Sequence, residues 1–234
     1  MFEDNNLIYL IFTFLPALIY SIVVYLTSPQ YTIKWRTASL FFSMGLLSTL
    51  LVNAVHFAFP NWDSPISNVI MISFLITAFL KVGFLEEVCK FSMFKLTEWY
   101  KHHKFKSHHP SAIMFYSMSV SCGFAVSENI LYAQIYGGQV LFIRSFSSVL
   151  IHMMCGLMMG YFIALGRIGD INSSKFKKFV YSFTGILVAS FYHGLYDYNI
   201  YIYQSLNKSF AIIILGFIIT YSMTYHLFRY ANKL

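Results

Sequence analysis

Residues 66–100 read ISNVIMISFLITAFLKVGFLEEVCKFSMFKLTEWY: an apolar run that takes in Lys81, Glu86, Glu87 and Lys90 and closes on Trp99 and Tyr100. It contains no proline, and Gly83 is its only glycine. As one helix it would be roughly 50 Å long at 1.5 Å per residue. The hydrocarbon core of a bilayer is about 30 Å thick. Such a segment projects into the cytoplasm, tilts strongly, or breaks, with Gly83 the expected hinge. Its placement decides whether the chain crosses a membrane seven times or eight.

The rest of the chain shows that a membrane is the right solvent. Of 234 residues, 58% are hydrophobic and 11% charged, with a mean hydropathy of +0.62. Soluble domains carry about 25% charged residues, and so few charges cannot cover a water-facing surface. A soluble enzyme, a disordered chain and a nucleic-acid module are excluded on this ground. Further apolar runs occupy residues 7–27, 38–59, 111–134, 140–165, 179–203 and 210–230, with turn-forming breaks such as Pro60-Asn61, His109-Pro110 and Gly137-Gly138. The expectation is an all-α, polytopic transmembrane bundle of about seven spans, forming one integral-membrane domain over residues 1–234. Cys89, Cys122 and Cys155 fall inside apolar runs and read as small buried hydrophobes.

The net charge of +7 has a topological explanation. One alternating set of loops and span ends holds Lys34, Arg36, Lys95, Lys101, Lys104, Lys106, Arg167, Lys175, Lys177, Lys178, Arg229 and Lys233. The opposite set holds Arg144 and Lys208, beside Glu3, Asp4 and Asp63. Basic loops stay in the cytoplasm, so the N-terminus is expected outside and the C-terminus inside. The basic loops then face anionic lipid, and no nucleic-acid partner is needed to account for the charge.

Against this background the ionisable residues inside the spans stand out: Lys81, Glu86, Glu87, Lys90, Glu128, His152, His193 and Asp197. Four unpaired carboxylates in hydrocarbon would be unfavourable by on the order of 10 kcal/mol. Such groups face the bundle interior, where they pair or act. Glu86 and Lys90 are i,i+4 and can pair; Glu87 lies about 100° round the helix from Glu86. His193 and Asp197 are also i,i+4, so the carboxylate can orient the imidazole. Phe124 and Glu128 share a face, and His152, Gly156 and Gly160 form a stripe whose small residues allow close helix approach. Counted from the cytoplasmic ends, Glu86, Glu87, Glu128, His152 and His193 all lie roughly 20–25 Å deep. That is one layer, displaced toward the outer leaflet.

These residues resemble the PrsW family of intramembrane proteases. Glu86-Glu87-Val88-Cys89-Lys90 reads EExxK, Phe124-Ala125-Val126-Ser127-Glu128-Asn129 reads FxxxEN, and His193-Gly194-Leu195-Tyr196-Asp197 reads HxxxD, with Arg144 and His152 between them. The resemblance covers a core of about residues 80–200, with little from the first two spans. It extends distantly to the CAAX prenyl endopeptidases and Abi proteins; Glu128, where that wider group often has His, favours PrsW. What it implies is cleavage of a single-pass membrane protein, for this type an anti-sigma factor cut on the outer side of a bacterial cytoplasmic membrane.

Peptide hydrolysis needs an activated water, an oxyanion stabiliser and a proton donor for the leaving amine. One of Glu86 and Glu87 is expected to deprotonate water while the other pairs with Lys90; the sequence leaves open which. His193, oriented by Asp197, assists, with His152 and Glu128 completing the polar ring. Asn129 or Arg144 would hold substrate backbone, and Phe124 would pack beside them. The preferred reading requires no cofactor. In the other, Glu86, Glu87, Glu128, His152 and His193 supply ligands to a zinc ion with an open position. From different classes, the same residues would serve a proton- or cation-coupled transporter or a non-catalytic Abi-like scaffold. A transport pathway would string its groups along the membrane normal, whereas these share one depth.

Overall fold

The computed structural model describes residues 6–28, 33–59, 69–101, 109–167, 174–206, 218, 221–222 and 224–230. Every regular element among them is helical: α1 (Asn6–Thr27), α2 (Trp35–Ala58), α3 (Ile70–Ile76), α4 (Leu85–Tyr100), α5 (Pro110–Tyr136), α6 (Gly138–Leu165) and α7 (Lys175–Leu206). A π-helical stretch, Thr77–Phe84, joins α3 to α4. These helices occupy the apolar runs expected of them. Most of the last run, 210–230, lies outside the described residues, although 224–230 are helical.

Local chemistry sets several boundaries. Pro110 opens α5, where its missing N–H is no loss, and His109 Nδ1 accepts a hydrogen bond from the Ser111 amide at 3.3 Å. Gly137 alone separates α5 from α6. Its φ of +86° lies in a region that side chains rarely adopt, so the chain reverses within one residue. The two helices then form an antiparallel pair with the most extensive packing in the bundle.

The long third segment does not break. It runs helically from Ile70 to Tyr100, and Gly83 is a contact point rather than a hinge. A Cβ there would stand 2.9 Å from the Ser190 carbonyl oxygen and 3.0 Å from the Gly194 amide nitrogen. Gly194 in turn meets Phe79, with 2.8 Å between its notional Cβ and the Phe79 Cα. The paired glycines bring the π stretch and α7 into backbone contact. The shift falls just ahead of the Glu86-Glu87 pair, and π turns are frequent at functional sites.

Helix α5 is the axle, packed by α1, α2, α4 and α6. Gly45 of α2 sits against the Val120 carbonyl, and Gly123 of α5 against the Phe42 carbonyl. On the other side, Gly156 and Gly160 lie against the Met118 and Met114 backbones, at 2.8 and 2.6 Å from a notional Cβ. The His152–Gly156–Gly160 stripe therefore faces α5.

The ends of the helices alternate. Arg167 Nη2 donates to Glu98 Oε1 at 2.6 Å, tying the end of α6 to the end of α4. The Lys34 amide donates to the Tyr116 hydroxyl at 2.9 Å, tying the start of α2 to the start of α5. The outer surface is apolar, with Leu18, Leu26, Leu50, Phe57, Leu80 and Phe179 exposed. The interior holds Glu86, Glu87, Lys90, Asn129, His152 and His193. Around that polar cluster the core is apolar, with Phe41, Met114 and Phe115 fully buried, and it is the apolar exterior that departs from a soluble protein. Among the described residues, Trp35–Ala58 and Arg144–Leu165 are long and apolar enough to cross a membrane.

The α2–α5 crossing has no room for a methyl group. Gly123→Ala would crowd the Phe42 carbonyl and the Leu46 amide, both backbone, and is expected to destabilise by about 1–3 kcal/mol. Thermal unfolding of purified protein in detergent checks this; an unchanged midpoint would show that the helices part without penalty.

Candidate active site

Four helices contribute the polar residues. Glu86, Glu87 and Lys90 lie in the first two turns of α4, immediately after the π stretch. Phe124, Glu128 and Asn129 come from α5, Arg144 and His152 from α6, and His193 and Asp197 from α7. The sequence-derived set thus converges, with contacts that differ from spacing alone.

Lys90 is at the centre. Its Nζ donates to Glu87 Oε1 at 2.7 Å and stands 3.5 Å from Glu86 Oε2. The i,i+3 partner wins over the expected i,i+4 partner. Nζ also lies 2.9 Å from His152 Nδ1 and 4.1 Å from the centroid of Phe124. Phe124 is therefore a cation–π platform as well as packing. The Phe124 ring also meets His152 edge-on, with centroids 5.4 Å apart.

His193 is turned by Glu87 rather than by Asp197. Its Nδ1 lies 3.0 Å from Glu87 Oε1. Its Nε2 faces Glu86 Oε2 at 3.6 Å and Asp197 Oδ2 at 3.4 Å, an ionic approach in which Asp197 Oδ2 has no hydrogen-bond partner. Glu87 Oε1, a carboxylate oxygen that already accepts from the Lys90 ammonium, also accepts from the imidazole, so Nδ1 carries hydrogen. The Nε2 edge then points at two carboxylates, an arrangement stable only with a proton, a water or a cation between them.

A second group flanks the first. Glu128 Oε2 lies 3.0 Å from His152 Nε2 and 2.8 Å from Arg144 Nη2. Arg144 Nε donates to Asn129 Oδ1 at 3.1 Å, Nη2 donates to Ser148 Oγ at 3.2 Å, and the guanidinium stacks 3.7 Å from the centroid of Tyr132. Arg144 lies within α6, not in a loop, and its Nε and Nη2 are engaged by the protein. Between it and Asn129, the amide has more left to offer a substrate: Asn129 Nδ2 is buried without a partner. Ser148 and the stacking role of Tyr132 were not evident from the sequence. The i,i+4 spacing of Arg144 and Ser148 was the available signal for the first. Tyr196 donates to Ser147 Oγ at 3.0 Å and joins α7 to α6 beside the site.

The side chains of Glu87, Lys90, His152 and His193 are 4% exposed or less, whereas Glu128, Arg144 and Asp197 are 15–18% exposed. Glu128 and Arg144 lie in the halves of α5 and α6 next to Gly137.

Donor atoms of Glu86, His152 and His193 all lie within 4.8 Å of one another. One carboxylate and two imidazoles form a recognised zinc ligand set, and Glu87 on His193 Nδ1 is the carboxylate that such a histidine ordinarily carries. The four carboxylates face two fixed cations, Lys90 and Arg144. That excess of negative charge also suits a divalent ion. The residues fit one.

Comparison with known proteins gives a family for the chain. The family model described as PrsW family intramembrane metalloprotease matches residues 33–224, beginning before α2 and so well upstream of the motif region at about residue 80. Protease PrsW of Oceanobacillus iheyensis is 30% identical over 78% of this chain and 78% of its own. Protease PrsW of Bacillus subtilis is 34% identical over 54% of each chain, and that of Shouchella clausii 29% identical over 78% of this chain and 79% of its own. No solved structure gives a significant match.

The Glu128–Arg144 pair is testable by its asymmetry. Removing one member leaves an uncompensated charge, so Arg144→Met should destabilise by about 3 kcal/mol or more. The double variant Glu128→Gln/Arg144→Met should recover much of that. Unfolding midpoints of the three proteins decide it: a single variant as stable as the double would mean that the pair is not held away from water.

Proposed function

The chain belongs to the PrsW family of intramembrane metalloproteases, and from that premise we propose that it hydrolyses a single-pass membrane protein just inside the outer face of a bacterial cytoplasmic membrane. The observation that carries this reading is the convergence of Glu86, Glu87, His152 and His193 from three helices on one buried cluster. Seven spans, with the N-terminus outside and the C-terminus in the cytoplasm, fit the unbroken helical run from Ile70 to Tyr100. They also fit the placing of Glu98, Arg167 and the start of α2 at the basic end. The accessible side of the site then faces outward. An anti-sigma factor is the substrate that the family resemblance suggests.

In the ion-free reading, the two glutamates divide the labour. Glu87 Oε1 is bonded by Lys90 and His193 and fixes the geometry. Glu86 is held only by longer approaches of 3.5 and 3.6 Å, which leaves it the acid able to take a proton from water. His193 Nε2 lies beside it to steady that water or the developing oxyanion. Asp197, partly exposed and unpartnered at Oδ2, stands where a proton can pass to the leaving amine.

The second reading is favoured by the Glu86–His152–His193 donor set, which would hold a divalent metal. Bound there, zinc would polarise the scissile carbonyl and acidify its water. Glu87 would then orient His193 through Nδ1, and Glu128 would orient His152 through Nε2.

Cleavage of a reconstituted single-pass substrate tests the assignment. Glu86→Gln should reduce the rate at least about 100-fold without lowering the unfolding midpoint, whereas Glu87→Gln should lower both. Wild-type cleavage by well-folded Glu86→Gln would defeat the proposal. Loss of activity on chelation with recovery on added zinc supports the metal reading; chelator-resistant cleavage by metal-free protein supports the other. Cysteine labelling at Lys106 and Lys208 is expected to report opposite faces, and labelling from one face would refute the seven-span topology.

A further inference from the structure

We propose that Lys90 is a resident cation that competes with a divalent metal for His152, so that it must leave that imidazole before the site can load. The inference rests on the metal reading above and concerns what opposes occupancy.

The argument is one of lone pairs. An ammonium group is a donor only, so at 2.9 Å Lys90 Nζ uses the lone pair of His152 Nδ1. With Nδ1 accepting, Nε2 carries the hydrogen, and it donates to Glu128 Oε2 at 3.0 Å. Arg144, 2.8 Å from the same oxygen, keeps Glu128 an acceptor. A neutral imidazole has one lone pair, so His152 has none left for a metal while Lys90 stays in place. His193 differs: its Nδ1 is engaged by Glu87, and its Nε2 faces Glu86 and Asp197. One histidine is poised to ligate and the other is blocked by an internal positive charge.

The structure also provides a place for the released ammonium. Glu87 Oε2 is buried and without a partner, while Oε1 already binds Lys90 at 2.7 Å. A shift of Nζ toward Oε2 keeps its charge compensated. The Phe124 face, 4.1 Å away, supports a cation throughout. Lys90 thus weakens the site for metal and keeps the metal-free protein folded, because its charge offsets the carboxylates when no ion does.

The test is zinc affinity, measured on purified full-length protein by competition with a chromogenic chelator, with stoichiometry from elemental analysis. Lys90→Met should bind zinc at least about tenfold more tightly than wild type, and His193→Ala should lose the site. Because Lys90→Met leaves Glu87 unpaired and can fail to fold, the charge-balanced Glu87→Gln/Lys90→Met is measured beside it and should also bind more tightly than Glu87→Gln alone. If His193→Ala loses zinc but neither lysine variant gains affinity over its reference, the competition proposal falls and the metal reading stands. If wild type and both lysine variants retain no zinc, both fall.

Discussion

Hydrocarbon gives an isolated charge nowhere to go, and the arrangement of this bundle follows from that constraint. Lys90 is 1% exposed and Glu87 is fully buried, so each is tolerable only because the other lies 2.7 Å away. The pair belongs to one helix and its surroundings to three others. His193 reaches Glu87 because Gly83 and Gly194 let the π stretch and α7 touch. His152 reaches Lys90 because Gly156 and Gly160 let α6 lie on the backbone of α5. The small residues are the mechanical half of the site: they set the helix separations that hydrogen bonds then require.

The same geometry separates two neighbouring acids that are chemically identical. A step of one residue turns Glu87 toward Lys90 and His193 and leaves Glu86 with looser contacts. A group bonded on one oxygen by two donors is a fixed anion, whereas its neighbour is held more loosely. The second network, Glu128 with Arg144, Asn129 and Tyr132, neutralises the exposed side of the cluster. Beside it, Asn129 Nδ2 and Asp197 Oδ2 are buried polar atoms without hydrogen-bond partners. Buried polar atoms with unspent hydrogen-bonding capacity are rare in folded proteins and call for an explanation.

Much of this was legible in the residue order. Apolar runs located the helices, and ionisable residues within them singled out the groups that cluster, because the expense of burial made them conspicuous. The partners were less legible. Glu86 and Glu87 both sit within reach of Lys90 along the helix, and only His152 and His193 from distant elements decide between them. The same holds for His193, whose i,i+4 neighbour Asp197 loses its Nδ1 to Glu87. The π stretch has no residue signature of its own: Gly83 suggested a hinge because a lone glycine in a long helix usually weakens it, but its purpose lies in what it touches on α7. Arg144 was counted among loop charges because a linear tally cannot see Glu128 waiting opposite.

The one-residue link at Gly137 has a bearing on how the protein enters its membrane. Helices α5 and α6, joined so tightly, can close on each other as a hairpin before either is fully immersed. Glu128 and Arg144 face one another across that hairpin, as do Glu128 and His152. A closed hairpin presents the bilayer with a neutralised pair instead of two separate ions, lowering the barrier to partitioning out of the translocation channel. The turn that holds α5 against α6 is then also what lets Glu128 and Arg144 travel together as a pair.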